Sequence, residues 1–170
     1  RRHTRLRTVT GVQTCALPIF SQGFRAPNLS DLSRLDIAAS GELETAAPGL
    51  DPEYFVSYEI GARARWTGGF GQVAYYYTTI DGMIVRTPTG NIVSGAAEVT
   101  KRNAGDGYVH GVEINGEQSL HPWWTARAAC TWMDGELDSY PTSAPVQQRE
   151  TVSRLMPTTL QLGLRTGPPT

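Results

Sequence analysis

Apolar and polar side chains alternate along much of this chain with a period of two. In the clearest run, residues 54–66, every even position is apolar, and every odd position except Phe55 is polar or small. Side chains of a β-strand alternate between two faces, so the run predicts a strand with one apolar face. It is longer than the roughly 5–6 residues that are typical of strands in soluble proteins.

Five other segments have the same strand character, and together they predict an all-β chain of about six strands. They are residues 20–24, 70–85, 108–119, 124–132 and 154–165. The alternation loosens at Asp81–Gly82, which predicts either a β-bulge or the end of a membrane span. The sequence contains no run of 18 or more apolar residues, so no transmembrane helix is predicted.

The connections between these strands alternate strictly between short and long. Residues 67–69 and 120–123 are short connections, whereas residues 25–53, 87–105 and 135–153 are long ones. An antiparallel up-and-down meander would place the short turns at one edge and the long loops at the other, as outer-membrane barrels do. The sequence therefore predicts an open piece of a transmembrane β-barrel. The alternative is a soluble antiparallel sandwich, although its strands would be shorter.

Charged side chains of the strands favour the barrel over the sandwich. Six of them occupy the positions opposite the apolar ones, which would face the lumen, and a charge facing lipid would cost roughly 2–4 kcal/mol near the midplane. These residues are Glu59, Arg63, Arg65, Glu113, Glu117 and Arg127. Trp66 and Trp124 lie beside the short turns, where an aromatic girdle is expected.

Residues 1–19 do not continue the strand pattern. Their arginines fit no amphipathic face, and their apolar run is too short for a secretory signal. Val9–Ile19 resembles a translated sequencing adapter. We therefore interpret residues 1–19 as a non-native leader and residues 20–170 as the domain.

Removing this leader changes the charge and the cysteine chemistry. It holds four of the 15 basic residues and none of the 16 acidic ones, so the formal charge moves from −1 to −5. The basic arm that would have suggested a nucleic-acid partner disappears with it. Cys130 is then the single remaining cysteine, which excludes an internal disulfide and a metal cluster built from cysteines.

Five motifs resemble the barrel of TonB-dependent outer-membrane receptors, in that family's order and spacing. They are FSQGFRAPNLSDL at 20–32, GLDPE at 49–53 with SYEIG at 57–61, YYYTTIDGMI at 75–84, NAG at 103–105 with HGVEI at 110–114, and Arg154 with Pro157. Together they cover residues 20–165. The motif residues, to which we assign structural roles, are Phe24, Arg25, Ala26, Pro27, Asn28, Leu50, Pro52, Glu53, Glu59, Gly61, Asn103, Gly111, Glu113 and Pro157.

Local physical chemistry supports structural roles for several of these residues. Asn28 can cap a short helical turn that presents Leu29, Leu32 and Leu35 as its apolar side. Asp31 would lie in the first turn, where the helix dipole favours a carboxylate. Pro52 keeps Asp51 extended as the chain re-enters the barrel. Gly61 and Gly111 have lumen-side parity and would allow another backbone, such as that of a plug domain, to approach closely.

The resemblance implies a transporter rather than an enzyme, located in the bacterial outer membrane and without a cofactor. Such a receptor captures a scarce nutrient complex, such as a ferric siderophore, and imports it with energy from the TonB system. Its expected partners are its own plug domain, TonB, outer-membrane lipid and lipopolysaccharide, and a small-molecule or metal-chelate ligand. The plug, the TonB-contacting segment and the closing strand are expected outside residues 20–170. Alternatives are a passive porin-type or adhesin barrel and, third, a soluble β-sheet binding module.

Candidate chemistry is sparse. Residues 28–48 contain no histidine, whereas haem-uptake members of the family carry one there, and no Ser–His pairing suggests a hydrolase. The acidic residues at 134–138 and 42–44 lack the spacing of a calcium loop. Five cations are expected at the external ends, where they could bind an anionic ligand or lipopolysaccharide phosphates. They are Arg25, Arg34, Arg86, Lys101 and Arg102.

Overall fold

The computed structural model describes residues 12–167, which form one curled, half-barrel sheet. Its elements are β1 (Gln13–Arg25), α1 (Leu29–Ser33), β2 (Asp36–Ile37), β3 (Leu43–Glu44), β4 (Glu53–Trp66), β5 (Gly69–Val93), β6 (Ala96–His121), β7 (Trp124–Ser139), β8 (Gln148–Thr151) and β9 (Thr159–Thr166). The six wall strands pair antiparallel in the order β1-β4-β5-β6-β7-β9. The predicted all-β meander is therefore confirmed. Within residues 12–167, no helix is long and apolar enough to cross a membrane.

The register separates the side chains of these strands into two faces. The outer face carries large apolar side chains that are 40% or more exposed. Among them are Phe20, Tyr58, Ile60, Val73, Tyr75, Ile114, Trp132, Leu160, Leu162 and Leu164. The inner face carries Glu59, Arg63, Glu113 and Arg127, as predicted. In the part of the chain that the structure describes, Ala47, Ile80, Pro88 and Val99 are the only buried residues with an apolar side chain, so this sheet has almost no core of its own.

The connection predicted at residues 87–105 is wrong. There β5 and β6 continue as one hairpin to a tight turn at Ser94–Gly95, where both residues have positive φ (51° and 84°). Threonine and valine favour strands in this segment. The two-residue alternation is missing because, beyond the membrane, neither face of a strand has to be apolar. The segment 135–153 is likewise partly strand, in β7 and β8.

The β-bulge predicted at Asp81–Gly82 is confirmed. The β5–β6 register shifts between Ile80 and Met83, and Gly82 has a φ of +63°. The Gly82 N–H donates to Asp106 Oδ1 at 2.9 Å, and Asn103 Nδ2 donates to the Gly82 carbonyl at 2.7 Å. The bulge therefore marks the point where the hairpin leaves the regular wall.

Strand β1 begins earlier than the predicted stub at residues 20–24. Residues 13–19 pair with residues 59–65 of β4. Cys15, Leu17 and Ile19 of this stretch lie on the inner face. Their partners on the inner face of β4 are polar or small: Arg63, Gly61 and Glu59. This part of β1 thus departs from the pattern of the other strands. The leader interpretation of residues 1–19 stays a prediction, and its residues 1–11 lie outside the described residues.

Aromatic rings fill the space above two strand glycines. A Cβ atom at Gly111 would lie 2.5 Å from Tyr76 Oη and 2.6 Å from the Trp132 carbonyl oxygen. On the outer face, a Cβ at Gly71 would lie 3.2 Å from the Trp66 ring, whose Nε1 donates to Gln118 Oε1 at 2.6 Å. The close approach expected at Gly111 is therefore made by Tyr76 of the neighbouring strand.

We expect Gly111→Ala to destabilise the barrel by about 1–3 kcal/mol, because overpacking against a ring and a backbone carbonyl forces both to move. The matched control is Gly61→Ala, since a Cβ there would meet nothing closer than 3.7 Å. The measurement is urea unfolding of the protein in detergent. Equal stability of the two variants would contradict the packing role of Tyr76.

Candidate functional site

Most buried charges of the molecule collect at the end of the sheet away from the short turns. Three segments meet there: residues 26–52, the β5–β6 hairpin beyond the bulge (residues 83–105), and residues 140–147. We call these segments together the rim assembly. Asp31, Glu42 and Glu44 are its buried carboxylates, and a fourth buried carboxylate, Glu53, lies at its base; each is no more than 9% exposed.

The cross-strand pair Arg25–Glu53 lies at the base of the rim assembly. The Arg25 guanidinium donates to both Glu53 carboxylate oxygens, at 2.5 and 2.6 Å. Glu53 is 1% exposed, and its Oε1 also accepts from the Ile84 backbone N–H at 2.8 Å. A buried carboxylate is tolerated only when cations and hydrogen bonds replace its water. The pair therefore ties the end of β1 to the start of β4 and to β5.

The FRAPN motif continues directly from this pair into a helix cap. Asn28 Oδ1 accepts from the Asp31 N–H at 2.9 Å, and Asp31 Oδ2 accepts from the Asn28 N–H at 3.1 Å, which forms a reciprocal capping box. The predicted cap is thus confirmed. Asp31 also pairs with Arg25 at 3.1 Å and with Lys101 at 3.0 Å. Of the three leucines predicted as its apolar side, Leu32 is half-buried but Leu29 and Leu35 are exposed, so the most buried side chain of this turn is the Asp31 carboxylate.

Glu42 joins all three segments of the rim assembly. It pairs with Arg86 of the hairpin and accepts from Ser40 at 2.8 Å and from Ser143 at 2.5 Å. The hydrogen bond from Ser143 has the largest effect on the pKa of Glu42, followed by that from Arg86, and together these contacts lower the pKa to about 2. Burial raises the pKa of Asp31, but hydrogen bonds from Asn28 and Lys101 outweigh it, and the net pKa lies below the usual range. Both carboxyls are therefore ionised at neutral pH.

Backbone pairing completes the docking of residues 26–52. Strand β3 pairs in parallel with β6 at Glu98 and Val99, and the Thr45 N–H donates to the Val99 carbonyl at 2.9 Å. Strand β7 does not reach this part of β6, so β3 fills an edge that would otherwise be unpaired. Asn103 of the NAG motif accepts from the Asp51 N–H at 2.9 Å and donates to the Asp51 carbonyl at 2.8 Å.

The five predicted ligand-binding cations divide into two groups. Four of them belong to the rim assembly or its base and are paired: Arg25 with Asp31 and Glu53, Arg34 with Glu44, Arg86 with Glu42, and Lys101 with Asp31 and Glu44. Arg102 is exposed and, by strand alternation, lies on the opposite face of β6 from Lys101. Sequence reasoning missed the acidic partners, although Glu42 and Glu44 share one loop with Arg34. An anion-binding role for the five cations stays a prediction.

The remaining motif residues lie in or beside the wall. Phe24 is 71% exposed on the outer face, opposite Tyr54. Ala26 and Pro27 link β1 to the helix cap, Leu50 and Pro52 precede β4, and Pro157 precedes β9. Glu59 and Glu113 lie on the inner face. The described residues contain no group of three or more His, Cys, Asp or Glu that could hold a metal.

The family model for the TonB-dependent receptor-like β-barrel matches residues 20–167. The chain belongs to the TonB-dependent receptor barrel family. It is therefore part of an integral outer-membrane β-barrel. No curated protein matches it.

Solved structures of two receptors and one transporter have a similar fold. The siderophore receptor PirA from Pseudomonas aeruginosa superposes with a TM-score of 0.59 at 20% identity, over 89% of this chain and 32% of that one. The copper transporter OprC gives 0.64 at 15% identity, over 91% of this chain and 22% of that one. The ferric enterobactin receptor PfeA from P. aeruginosa superposes with a TM-score of 0.58 at 16% identity, over 76% of this chain and 24% of that one. The chain thus spans about a third or less of these receptors.

The outer-membrane setting explains the aromatic side chains of the receptor barrel. Trp66 and Trp124 flank the short turns at one interface. A second cluster lies on the outer face nearer the bulge, where Tyr77 stacks on Tyr108 at 5.5 Å and His110 meets Trp132 edge-on at 5.3 Å. His110 is therefore one of the aromatic-girdle residues.

We expect Glu53→Gln to loosen residues 26–52, because it removes the charge that accepts two hydrogen bonds from Arg25 and leaves Asp31 as the remaining anion of Arg25. Removing one partner of a buried ion pair typically costs about 3–5 kcal/mol of folding free energy. The cost is smaller here because Arg25 is partly exposed to solvent. Hydrogen exchange at the Thr45 and Ala47 amides of the receptor should become at least tenfold faster. The control Glu136→Gln removes an exposed partner of Arg149 and should leave exchange unchanged. Equal exchange in both variants would show that the pair does not hold the loop.

The pKa of Glu42 predicts an acid-sensitive contact between residues 26–52 and 140–147. Because the pKa of Glu42 is lower in the contact than its ordinary value of 4.5, ionised Glu42 stabilises the contact fully above about pH 4.5. This stabilisation is lost as the pH falls toward about 2. Spin labels at the exposed positions Ala39 and Thr142 should report one narrow distance from pH 7 to 5 and a broader distribution by pH 2.5. In Glu42→Gln the distribution should be broad at every pH. A wild-type distribution that stays narrow at pH 2.5 contradicts the prediction.

Proposed function

We propose that this chain forms part of the wall and external rim of a receptor that imports a scarce metal complex, or a metal ion, with energy from TonB. The family match over residues 20–167 carries this proposal. It is supported by the names of the structural neighbours, which include siderophore receptors and a copper transporter. The partners in this proposal are a plug domain inside the barrel, the TonB system, outer-membrane lipid and lipopolysaccharide, and a small ligand.

The rim assembly supports a role in presenting external loops to a ligand. Its cations and buried carboxylates largely neutralise one another, so a long loop is fixed without a large net charge at the mouth. Arg25 and Arg34 are 43% and 45% exposed, so each can still donate outward to an anionic chelate. Arg102, exposed on the opposite face of β6, can meet either an anionic ligand or lipopolysaccharide phosphates.

Uptake by the receptor that contains this chain tests the proposal. Cells that depend on this receptor are supplied with radioactive iron as anionic and neutral chelates, and separately with radioactive copper. We expect saturable accumulation of at least one cargo, which disappears when TonB is deleted. Equilibration that is independent of TonB and does not saturate would instead identify a passive porin-type barrel.

A paired variant tests the predicted ligand residues. We expect Arg34→Gln combined with Arg102→Gln to weaken binding of an anionic chelate by roughly three- to tenfold, since exposed charge pairs contribute about 0.2–1 kcal/mol each. Arg149→Gln is the control, because Arg149 is exposed and engages Glu136 and Asp138 instead. Unchanged affinity in the double variant would remove Arg34 and Arg102 from the binding site.

A further inference from the structure

Five aromatic side chains form one continuous cluster on the outer face, near the external end of the wall. Tyr77 stacks on Tyr108 with 5.5 Å between the ring centroids, and His110 lies 5.7 Å from Tyr108 and 5.3 Å from Trp132. Tyr75 Oη lies 3.3 Å from His110 Nδ1, within hydrogen-bond distance. Tyr75 and Trp132 are still 40% exposed, so ring surface remains open to lipid. We call these five residues the ring cluster.

A carboxylate without a cationic partner lies beside the ring cluster. Asp134 of β7 is directly opposite His110 of β6 in the strand register, and it has the same outer-face parity as Trp132, two residues earlier. The Asp134 side chain is exposed. Among residues 12–167, no cation lies within ion-pair distance of its carboxylate. Its charge is therefore available to a group outside this chain.

The same face of β7 stays acidic toward the cell exterior. Glu136 and Asp138 follow Asp134 at alternate positions, and Arg149 of β8 pairs with both of them, at 3.7 and 3.4 Å. Of these three carboxylates, Arg149 thus partners the two that lie farther from the ring cluster. Aromatic girdles lie at the depth of the lipid headgroups. The unpartnered charge of Asp134 therefore faces headgroups rather than another part of the wall.

We propose that Asp134 and the ring cluster bind lipid headgroups that carry an ammonium group. The carboxylate supplies the opposite charge, and the faces of indole and phenol rings attract an organic cation. A divalent metal ion fits less well, because it prefers several oxygen ligands. Among residues 12–167, no group of three or more His, Cys, Asp or Glu could hold a metal. The surface needs only the outer-membrane setting of the barrel, so it goes beyond the proposed function and does not depend on cargo or on TonB.

The test uses the purified protein, labelled with fluorotryptophan, in maltoside detergent. The variant Trp132→Phe identifies the fluorine NMR signal of Trp132 by its loss. Dihexanoyl-phosphatidylethanolamine and dihexanoyl-phosphatidylglycerol, which share the phosphate, are titrated separately while the Trp132 signal is followed. We expect the ethanolamine lipid to shift this signal with roughly three- to tenfold higher apparent affinity, because it alone carries an ammonium group. Acetylation of its amine removes the charge and should abolish the preference.

Two carboxylate variants test where the preference originates. Asp134→Asn should remove most of the preference for the ethanolamine lipid, because it removes the charge and keeps the shape of the side chain. Glu113→Gln is the matched control, since it removes an exposed carboxylate from the inner face of the neighbouring strand β6. It should leave the preference unchanged. A gel shift on heating confirms that each variant barrel is folded before the comparison.

The possible results distinguish the headgroup surface from the proposed function. Equal affinity for the two lipids, or a preference that persists in Asp134→Asn, overturns the headgroup surface. Tighter binding of the glycerol lipid on addition of Mg²⁺, lost in Asp134→Asn, also overturns it and assigns the carboxylate to a metal bridge with anionic lipid. Uptake that proves to be passive would overturn the proposed function and leave the ammonium preference at Trp132 unaffected.

Discussion

The Arg25–Glu53 pair is the contact on which the external half of the structure depends. A carboxylate that is 1% exposed cannot remain ionised without replacement of its water, and Arg25 supplies that replacement from the neighbouring strand. Because Glu53 also accepts from Ile84, the same side chain fixes β5 just beyond its bulge. Arg25 then reaches Asp31, which caps α1 and binds Lys101. The end of one strand, the start of the next, the helix and the hairpin are thus joined through two carboxylates.

The wall itself follows a different rule. Its apolar side chains lie on the outside, where lipid replaces the core of a soluble protein, and its inner face is polar. Contacts between side chains of neighbouring strands therefore replace the packing that a hydrophobic core provides in a soluble protein. Tyr76 over Gly111 and Trp66 over Gly71 are such contacts, because each ring covers a position where the strand has no side chain.

The sequence predicted the wall better than the rim. Lipid on one side and a polar lumen on the other impose a strict alternation, so the number of wall strands and their faces could be predicted, and Asp81–Gly82 was recognised as either a bulge or the end of a span. The strand ends were predicted less well, since β1 begins at Gln13 rather than Phe20 and β9 covers Thr159–Thr166 rather than 154–165. Beyond the bulge, that constraint ends, and the continued β5–β6 hairpin was mistaken for a loop. The two-residue strand β3 has no periodicity to detect. The cations of the candidate site were predicted, but their partners were not, since Asp31 and Lys101 meet only in the folded chain.

The pairing of β3 with β6 has a consequence for the order of folding. The β5–β6 hairpin closes through a tight turn, so its two strands meet without a long loop closure. Thr45 and Thr100, in contrast, are 55 residues apart in sequence, and their contact requires β4, β5 and β6 to be in place. The contact of β3 with the rest of the rim can therefore form only once β6 is present. Until then Asp31 and Glu42 lack the Lys101 and Arg86 partners that the β5–β6 hairpin supplies, so residues 26–52 depend on the hairpin and not the reverse.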